Sequence, residues 1–364
     1  MITYFELGKD KQLNEIVVAG SHDAGITSGS GNVKTQSRDI GGQAKVGVRV
    51  FDLRIAATTV PGQRAGSPKQ AELRAFHAQD TFMKNEAKSR SLGTGAAAVE
   101  LERTKFTLGA GDFALGLTGM LRDAKDFVTS AVGKNEFLIL KFDKCVNWSL
   151  IADACVSELG ATLFKGHVNL NTTKLKDLSG KVICVFSPKG VEEIAVQRKL
   201  GAIHGILGFQ NLYGGGTYSD DFSGLQYFGK GGTAVWKPFS KLSQNEKKQR
   251  KLMASAKQSD PDVIGMMYWT TTGIFESIQK RDAKMWDTPN VAKLKRVWAQ
   301  GLEEFVWERN PLAIPAGSAA VGPVRKRSMP NIVMIDFAND MKCRVIRGLN
   351  DLSPAELAEL GGDA

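Results

Sequence analysis

Two short strings within the first 54 residues carry most of the side chains that could do chemistry. Val18-Ala-Gly-Ser-His-Asp-Ala-Gly25 ends an apolar run in His22 and Asp23, and Val48-Arg-Val-Phe-Asp-Leu-Arg54 ends another in Asp52 and Arg54. A third, Leu73-Arg-Ala-Phe-His77, follows the same plan and finishes in a second histidine. Two histidines, two carboxylates and an arginine are the set that acid–base chemistry on a phosphodiester needs. Displacing an alkoxide from phosphorus near neutral pH takes one proton from the nucleophile and gives another to the leaving group. Histidine serves both ends because its ordinary pKa is about 6.5. A neighbouring carboxylate fixes the tautomer and supports the imidazolium as it forms, and a planar guanidinium can meet two phosphate oxygens together. A histidine after a strand is, taken singly, most often a polar core or loop residue; the combination of strings is what points to a site.

Such groups need elements that end in one place. A buried strand that turns polar at its carboxyl end is how an α/β barrel presents a site above a packed core. Apolar runs recur at 15–20, 48–53, 73–77, 136–142, 181–186, 205–210, 263–269 and 331–337. Helical patterns lie between several of them: 118–131, with Met120, Leu121, Ala124, Phe127 and Val128 on one face, then 149–158, 240–257 and 290–309. Strands alternating with helices, eight in all, predict an α/β fold, an irregular TIM-type (βα)8 barrel. One domain is expected over 1–350, with loop insertions at about 79–112 (including a hairpin near 98–108), 213–233 and 311–330, and a peripheral tail over 351–364. The glycine-rich 213–233 stretch reads as a flexible loop beside the sixth strand.

The chain has 364 residues, is 42% apolar and carries a formal charge of +10. That charge favours anionic partners: nucleic acid, an acidic membrane surface or a phosphorylated substrate. No nucleic-acid motif is present, and the basic runs Glu246-Lys-Lys-Gln-Arg-Lys251 and Arg325-Lys-Arg327 are of the kind that form solvated faces. A non-catalytic anion- or nucleic-acid-binding protein is the alternative of another class, and the intact histidine, aspartate and arginine set argues against it. The four cysteines lack metal-site spacing. Cys184 reads as a core thiol, while Cys145 and Cys155, ten apart, leave a disulfide open. The amino terminus shows no signal-peptide pattern. No stretch approaches the roughly 20 apolar residues of a membrane span. A cytoplasmic location or a signal-independent export route is expected, with no obligate protein partner.

Gly20-Ser-His-Asp-Ala-Gly25, Gln43 with Gly47-Val-Arg-Val-Phe-Asp-Leu-Arg54, and Glu136-Phe-Leu-Ile-Leu-Lys141 resemble the bacterial phosphatidylinositol-specific phospholipase C family, the X-domain barrel. Gly180-Lys-Val-Ile-Cys-Val-Phe186, Phe209-Gln-Asn-Leu-Tyr213 and Asn331-Ile-Val-Met-Ile-Asp-Phe337 are similar to its later strands, in the same order, so the resemblance runs from about 13 to 340. Glycerophosphodiester phosphodiesterases share the barrel but open on a His-Arg-Gly motif, which this string lacks.

The resemblance implies a role at each position. His22 would take a proton from the hydroxyl beside the phosphate, and His77 would protonate the departing lipid alkoxide, through a cyclic phosphate. Asp336 would orient His22, Asp23 would support His77, Arg54 would neutralise the phosphate, and Asp52 would hold Arg54. Calcium-dependent relatives place a carboxylate where this chain has Arg54, whose fixed charge replaces the cation, so no metal and no cofactor are expected. Head-group contacts fall on Lys141, Lys189, Asn211 and Tyr213, with looser agreement: the basic residue after the fifth strand is either displaced, to Lys189, or missing, and Asn211 replaces an acid. The expected partners are a phospholipid substrate (a phosphoinositide, a glycosyl-inositol lipid or another diester with a suitably placed hydroxyl) and an anionic membrane surface. Tyr213, Tyr218, Phe222, Tyr227, Phe228 and Trp236 are candidates to touch that surface.

Overall fold

A computed structural model describes residues 1–59, 71–77, 88–92, 99–103, 112–235, 243–255, 260, 262–273, 276–286 and 330–351. The strands are β1 (Val18–Ser21), β2 (Val48–Leu53), β3 (Ile55–Thr59), β4 (Ala71–His77), β5 (Lys88–Leu92), β6 (Val99–Arg103), β7 (Asp112–Gly116), β8 (Phe137–Phe142), β9 (Lys181–Phe186), β10 (Leu207–Asn211), β11 (Gly224–Gly229), β12 (Thr233–Val235), β13 (Ile264–Trp269), β14 (Thr271–Gly273) and β15 (Ile332–Ile335). The helices are α1 (Ile40–Val46), α2 (Leu117–Thr129), α3 (Trp148–Leu159), α4 (Leu175–Leu178), α5 (Pro188–Arg198), α6 (Ser243–Ser255), α7 (Ile278–Trp286) and α8 (Asp340–Gly348). Eight strands close a barrel in the order β1-β15-β13-β11-β10-β9-β8-β2. Every pairing around it is parallel. Strands buried on both faces need continuous apolar sequence, which Phe137-Leu-Ile-Leu-Lys-Phe142 and Lys181-Val-Ile-Cys-Val-Phe186 supply. Between barrel and solvent, α2 buries the expected stripe of Met120, Leu121, Ala124, Phe127 and Val128, with Leu117 in addition.

One expected barrel strand is exchanged for another. The 73–77 run lies in β4, outside the barrel, in a three-stranded sheet ordered β3-β4-β7. The chain leaves β2 through Arg54, runs out along β3 and returns antiparallel on β4. The backbone N–H of Phe76 donates to the carbonyl of Arg54 at 3.0 Å, which brings the end of β4 back to the barrel mouth. The missing eighth barrel strand is β11, inside the stretch expected to be the 213–233 loop. It begins at Gly224, whose φ is +144° and where a Cβ would lie 1.8 Å from the carbonyl oxygen of Gly208; only glycine permits that approach to β10. The inserted hairpin pairs β5 with β6, earlier than the expected 98–108. The 290–309 helix, nearly all of the 311–330 loop, Trp236 and all but the first residue of the 351–364 tail lie outside the described residues.

The base of the barrel is closed by a buried ion pair. Arg49 Nε donates to Glu136 Oε2 at 2.8 Å, while its other nitrogens reach the carbonyls of Ala44, Val48 and Ile2. Glu136 Oε1 accepts from the backbone of Tyr4 and Phe5, strapping the first residues against the barrel. Gly47 (φ +119°) turns α1 sharply into β2 beside Ile2 and Cys343. All four cysteines are free and buried, so Cys145 and Cys155 are not paired. Among the described residues no helix is long and apolar enough to cross a membrane.

Candidate active site

Strand parity gathers the polar residues. Gly20 aligns with Val50 and Met334, Asp52 with Lys141, Lys141 with Val185, Asn211 with Tyr227, and Tyr268 with Met334. Side chains two apart along a strand share a face, so His22, Asp52, Arg54, Lys141, Asp143, Tyr227, Tyr268 and Asp336 all follow the inward-facing rows at or beyond the carboxyl ends. Apolar residues of the same rows, such as Val50, Ile139 and Met334, fill the core beneath them.

His22 follows β1 and is nearly buried. Its Nδ1 lies 2.9 Å from Asp336 Oδ1, just past β15, and its backbone N–H donates to Ile335 at 3.0 Å. Both strand ends then turn through left-handed backbone, at Asp23 (φ 43°) and Phe337 (φ 45°), a conformation that costs energy for non-glycine residues and is held by its surroundings. Thr35 and Gln36, both fully buried, do the holding. Thr35 Oγ1 donates to the carbonyl of Asp23, and the Gln36 amide donates to the carbonyls of His22 and Ile335. Gln36 Oε1 accepts from Ala338.

Asp23 is the hub. Its Oδ1 lies 3.0 Å from Arg54 Nε, and its Oδ2 lies 2.8 Å from His77 Nδ1 and 3.8 Å from His22 Nε2. His77, 22 residues beyond Arg54 in the chain and carried on an excursion sheet, therefore reaches the same carboxylate as His22. The carboxylate set against Arg54 is that of Asp23. Asp52, expected to hold Arg54, instead accepts from Lys141 Nζ at 2.9 Å, and Asp143 accepts from the same ammonium at 3.0 Å. Lys141 is fully buried, with its ammonium 4.5 Å from the Phe209 ring centre and 5.8 Å from that of Tyr227. Tyr268 sets its ring edgewise to His22 at 6.0 Å.

These contacts fix the charges. Burial opposes a charge on His22, but Asp23 and Asp336 outweigh it, with help from Asp52, and the imidazole is pushed up to about 9. Burial would lift Asp23, yet Arg54, His22 and His77 hold its carboxyl well below the ordinary range. At Asp336 burial prevails over His22 and the carboxyl titrates higher than usual. Burial also opposes the Lys141 charge, and Asp143 and Asp52 overcome it, holding the ammonium protonated far above the usual lysine range.

The expected head-group residues separate. Lys189 is exposed in the first turn of α5. Asn211 spends its side chain on backbone, donating to the Gly229 carbonyl at 2.8 Å and accepting from Tyr213 at 3.1 Å. Tyr213 is exposed on the rim, its ring edge against Phe228 and the Lys230 ammonium 4.8 Å from its centre. Tyr227 is inside the barrel. Tyr218 bonds Asn169 and Phe222 packs under Gly208, so neither belongs to the rim. Asp143, Tyr227 and Tyr268 join the site without having been singled out for it; Asp143 directly follows an apolar run and Tyr268 lies within one, so inward parity is the signal that finds them, whereas Tyr227 lies on a strand that no apolar run marks. Gln36 and Thr35 sit in a polar loop with no such signal.

One ligand atom each from His22, Asp23 and Asp52 fall within 4.8 Å of one another, a spacing that suits a cation. Both carboxylates, however, already face a fixed cation, Arg54 and Lys141. The donor set is therefore poor in uncompensated negative charge.

No family model and no curated protein matches the chain. Solved structures do. The phosphatidylinositol-specific phospholipase C from Listeria monocytogenes is similar at a TM-score of 0.50 with 14% identity, covering 95% of this chain and 96% of that one. A double mutant of the corresponding Staphylococcus aureus enzyme gives 0.47 with 15% identity over 94% of each chain. The Listeria match establishes the architecture: this chain has the barrel fold of the bacterial phosphatidylinositol-specific phospholipases C, as its motifs led one to expect.

Proposed function

We propose that the chain is a metal-independent phosphodiesterase acting on a phospholipid whose head group carries a hydroxyl beside the phosphate. The observation that carries this reading is Asp23, which meets His77 and Arg54 directly and stands 3.8 Å from His22. An acid, a base and a phosphate-neutralising cation are thus gathered on one carboxylate. His22 Nε2 takes the proton of the hydroxyl as its oxygen attacks phosphorus. Arg54 balances the charge that gathers on the non-bridging oxygens. His77 Nε2 delivers a proton to the departing alkoxide, leaving a five-membered cyclic phosphate and a diacylglycerol or equivalent alcohol. Asp336 stabilises the imidazolium formed at His22, and Arg54 with Lys141 takes the electrostatic place of a divalent ion.

With its pKa near 9, His22 rests as an imidazolium at neutral pH. Only the deprotonated fraction can act as base, so kcat/KM rises about tenfold per pH unit below that titration. On this reading the head group lies against Lys141, Asp143, Tyr227 and Tyr213. A second substrate class, another lipid or a soluble diester with the same hydroxyl geometry, is favoured by one observation: Asn211 is bound to backbone and brings no charge to the head group. The net charge of +10 and exposed Tyr213 support an anionic membrane surface as the place of work.

The test is hydrolysis of vesicles with single defined head groups beside soluble inositol and glycerol diesters, followed by phosphorus NMR. A cyclic phosphate from at least one of them is expected. Anion or vesicle binding without turnover of any diester would favour the non-catalytic reading.

A further inference from the structure

Beside the His22–Asp336 pair lies a second buried charge pair that the proposed reaction does not use. Lys342, in the first turn of α8, is buried, and its ammonium donates to the carbonyls of Asp336 at 2.8 Å and Phe337 at 3.1 Å. Its third contact is the carboxylate of Asp282 on α7, also buried. All three donors of the ammonium are thereby engaged. The Trp286 ring lies beside it, 5.5 Å from nitrogen to ring centre.

The placement is specific. The two carbonyls belong to Asp336 and to the left-handed residue that follows it, the stretch of backbone that aims Asp336 at His22. On its other side the same turn is held by Thr35, which accepts from Phe337 N at 2.7 Å, and by Gln36, which accepts from Ala338. A buried lysine is expensive unless its charge is matched. A neutral amide could tie two carbonyls without that cost, so the charge itself calls for an explanation. It stands in an alternating series, Asp282, Lys342, Asp336, His22, that runs from α7 to the imidazole. Burial pushes the Asp282 carboxyl up to about 7, against the pull of Lys342.

We infer that Lys342, anchored by Asp282, is a positioning residue that holds Asp336 in line with His22. The inference rests on the proposed role of that pair, but it can be read without any substrate. In the unliganded protein, Lys342→Met should lower the His22 titration by a pH unit or more, followed by NMR of the imidazole, because Asp336 is no longer held against Nδ1. Charge alone predicts the opposite, since removing a nearby cation favours the imidazolium, and a purely structural role predicts no change. With an active diester, kcat should fall by up to about 10²-fold, the scale of an ångström-sized misplacement. KM should change by less than about threefold.

A folded Lys342→Met protein whose His22 titration is unmoved or raised overturns the inference. If that variant does not fold, the double variant Lys342→Met with Asp282→Leu, which leaves no unmatched buried charge, is measured in its place by the same criterion. Failure of the double variant to fold also overturns it, because the pair would then serve the fold rather than the dyad. A parent protein inactive on every diester would sink the proposed function and leave the NMR result standing.

Discussion

Asp336→Asn separates the two things a carboxylate does for a histidine. The substitution preserves volume and can keep a hydrogen bond to Nδ1, but it removes the charge. In the parent, the distance between an ordinary imidazole at 6.5 and His22 at about 9 amounts to a few kcal/mol, on the order of 3, in favour of the imidazolium, net of burial. Asp23 contributes first to that preference and Asp336 next, by both charge and hydrogen bond. Losing Asp336 should bring His22 down by about one to two pH units, each worth about 1.4 kcal/mol. At pH 7 the neutral, base-competent fraction would then rise from about one in a hundred to between about one in ten and one in two. A simple count of available base predicts a faster enzyme. A slower one is expected, because the imidazolium formed in the transition state has lost its support and its fixed tautomer, a loss of up to about 10⁴-fold in kcat. The assay is kcat/KM and kcat from pH 5 to 10 on the cleaved diester, with the His22 resonance titrated in parallel. The base limb should move to lower pH while the plateau drops. A base limb that stays where it was, or a plateau that survives, refutes the account of the pair. Stability should follow the same titration. His22 has a raised folded pKa, so its contribution is complete below about 6.5 and disappears as the pH climbs through about 9; the variant should lose it at lower pH.

Replacing His22 or His77 by alanine should cost about 10²–10⁴-fold each in turnover with the fold retained, since both line a mouth rather than fill a core; circular dichroism and kinetics together check this. Arg49→Met leaves Glu136 buried without its partner and should cost about 3–5 kcal/mol in urea unfolding, while adding Glu136→Leu should recover most of that loss. Chelators should leave turnover unchanged, and a calcium requirement would mean that Asp23 and Asp52 give up Arg54 and Lys141 for an ion.

The barrel was legible because parallel strands buried on both faces must be apolar almost throughout, and seven of the eight announce themselves that way. The eighth does not. Gly224-Leu-Gln-Tyr-Phe-Gly229 starts and ends in glycine for reasons of close approach, and its polar Gln226 turns to the backbone of Ser219, a use that hydropathy cannot anticipate. The 73–77 run misled for the converse reason: Leu73, Ala75 and Phe76 pack in a sheet outside the barrel. His77, a histidine where an apolar run stops, nonetheless lies at the barrel mouth against Asp23, since excursion and barrel end there together. Roles read off one string were less secure than its membership of the site. Asp52 and Arg54 are two apart and inward-facing, yet the contacts that place them come from Lys141 and Asp23, and pairing across strands is set by register rather than by sequence distance.

Sharing one carboxylate among three groups makes the mouth of this barrel a single thermodynamic object. A change at Asp23 alters the basicity of His22, the orientation of His77 and the reach of Arg54 together, so effects measured at those four positions cannot add. Drift at any one of them is constrained by the other three. If the proposed function holds, changes of head-group preference are expected at the periphery, around Asn211, Tyr213 and Lys230, where the side chains answer to the rim and not to the hub.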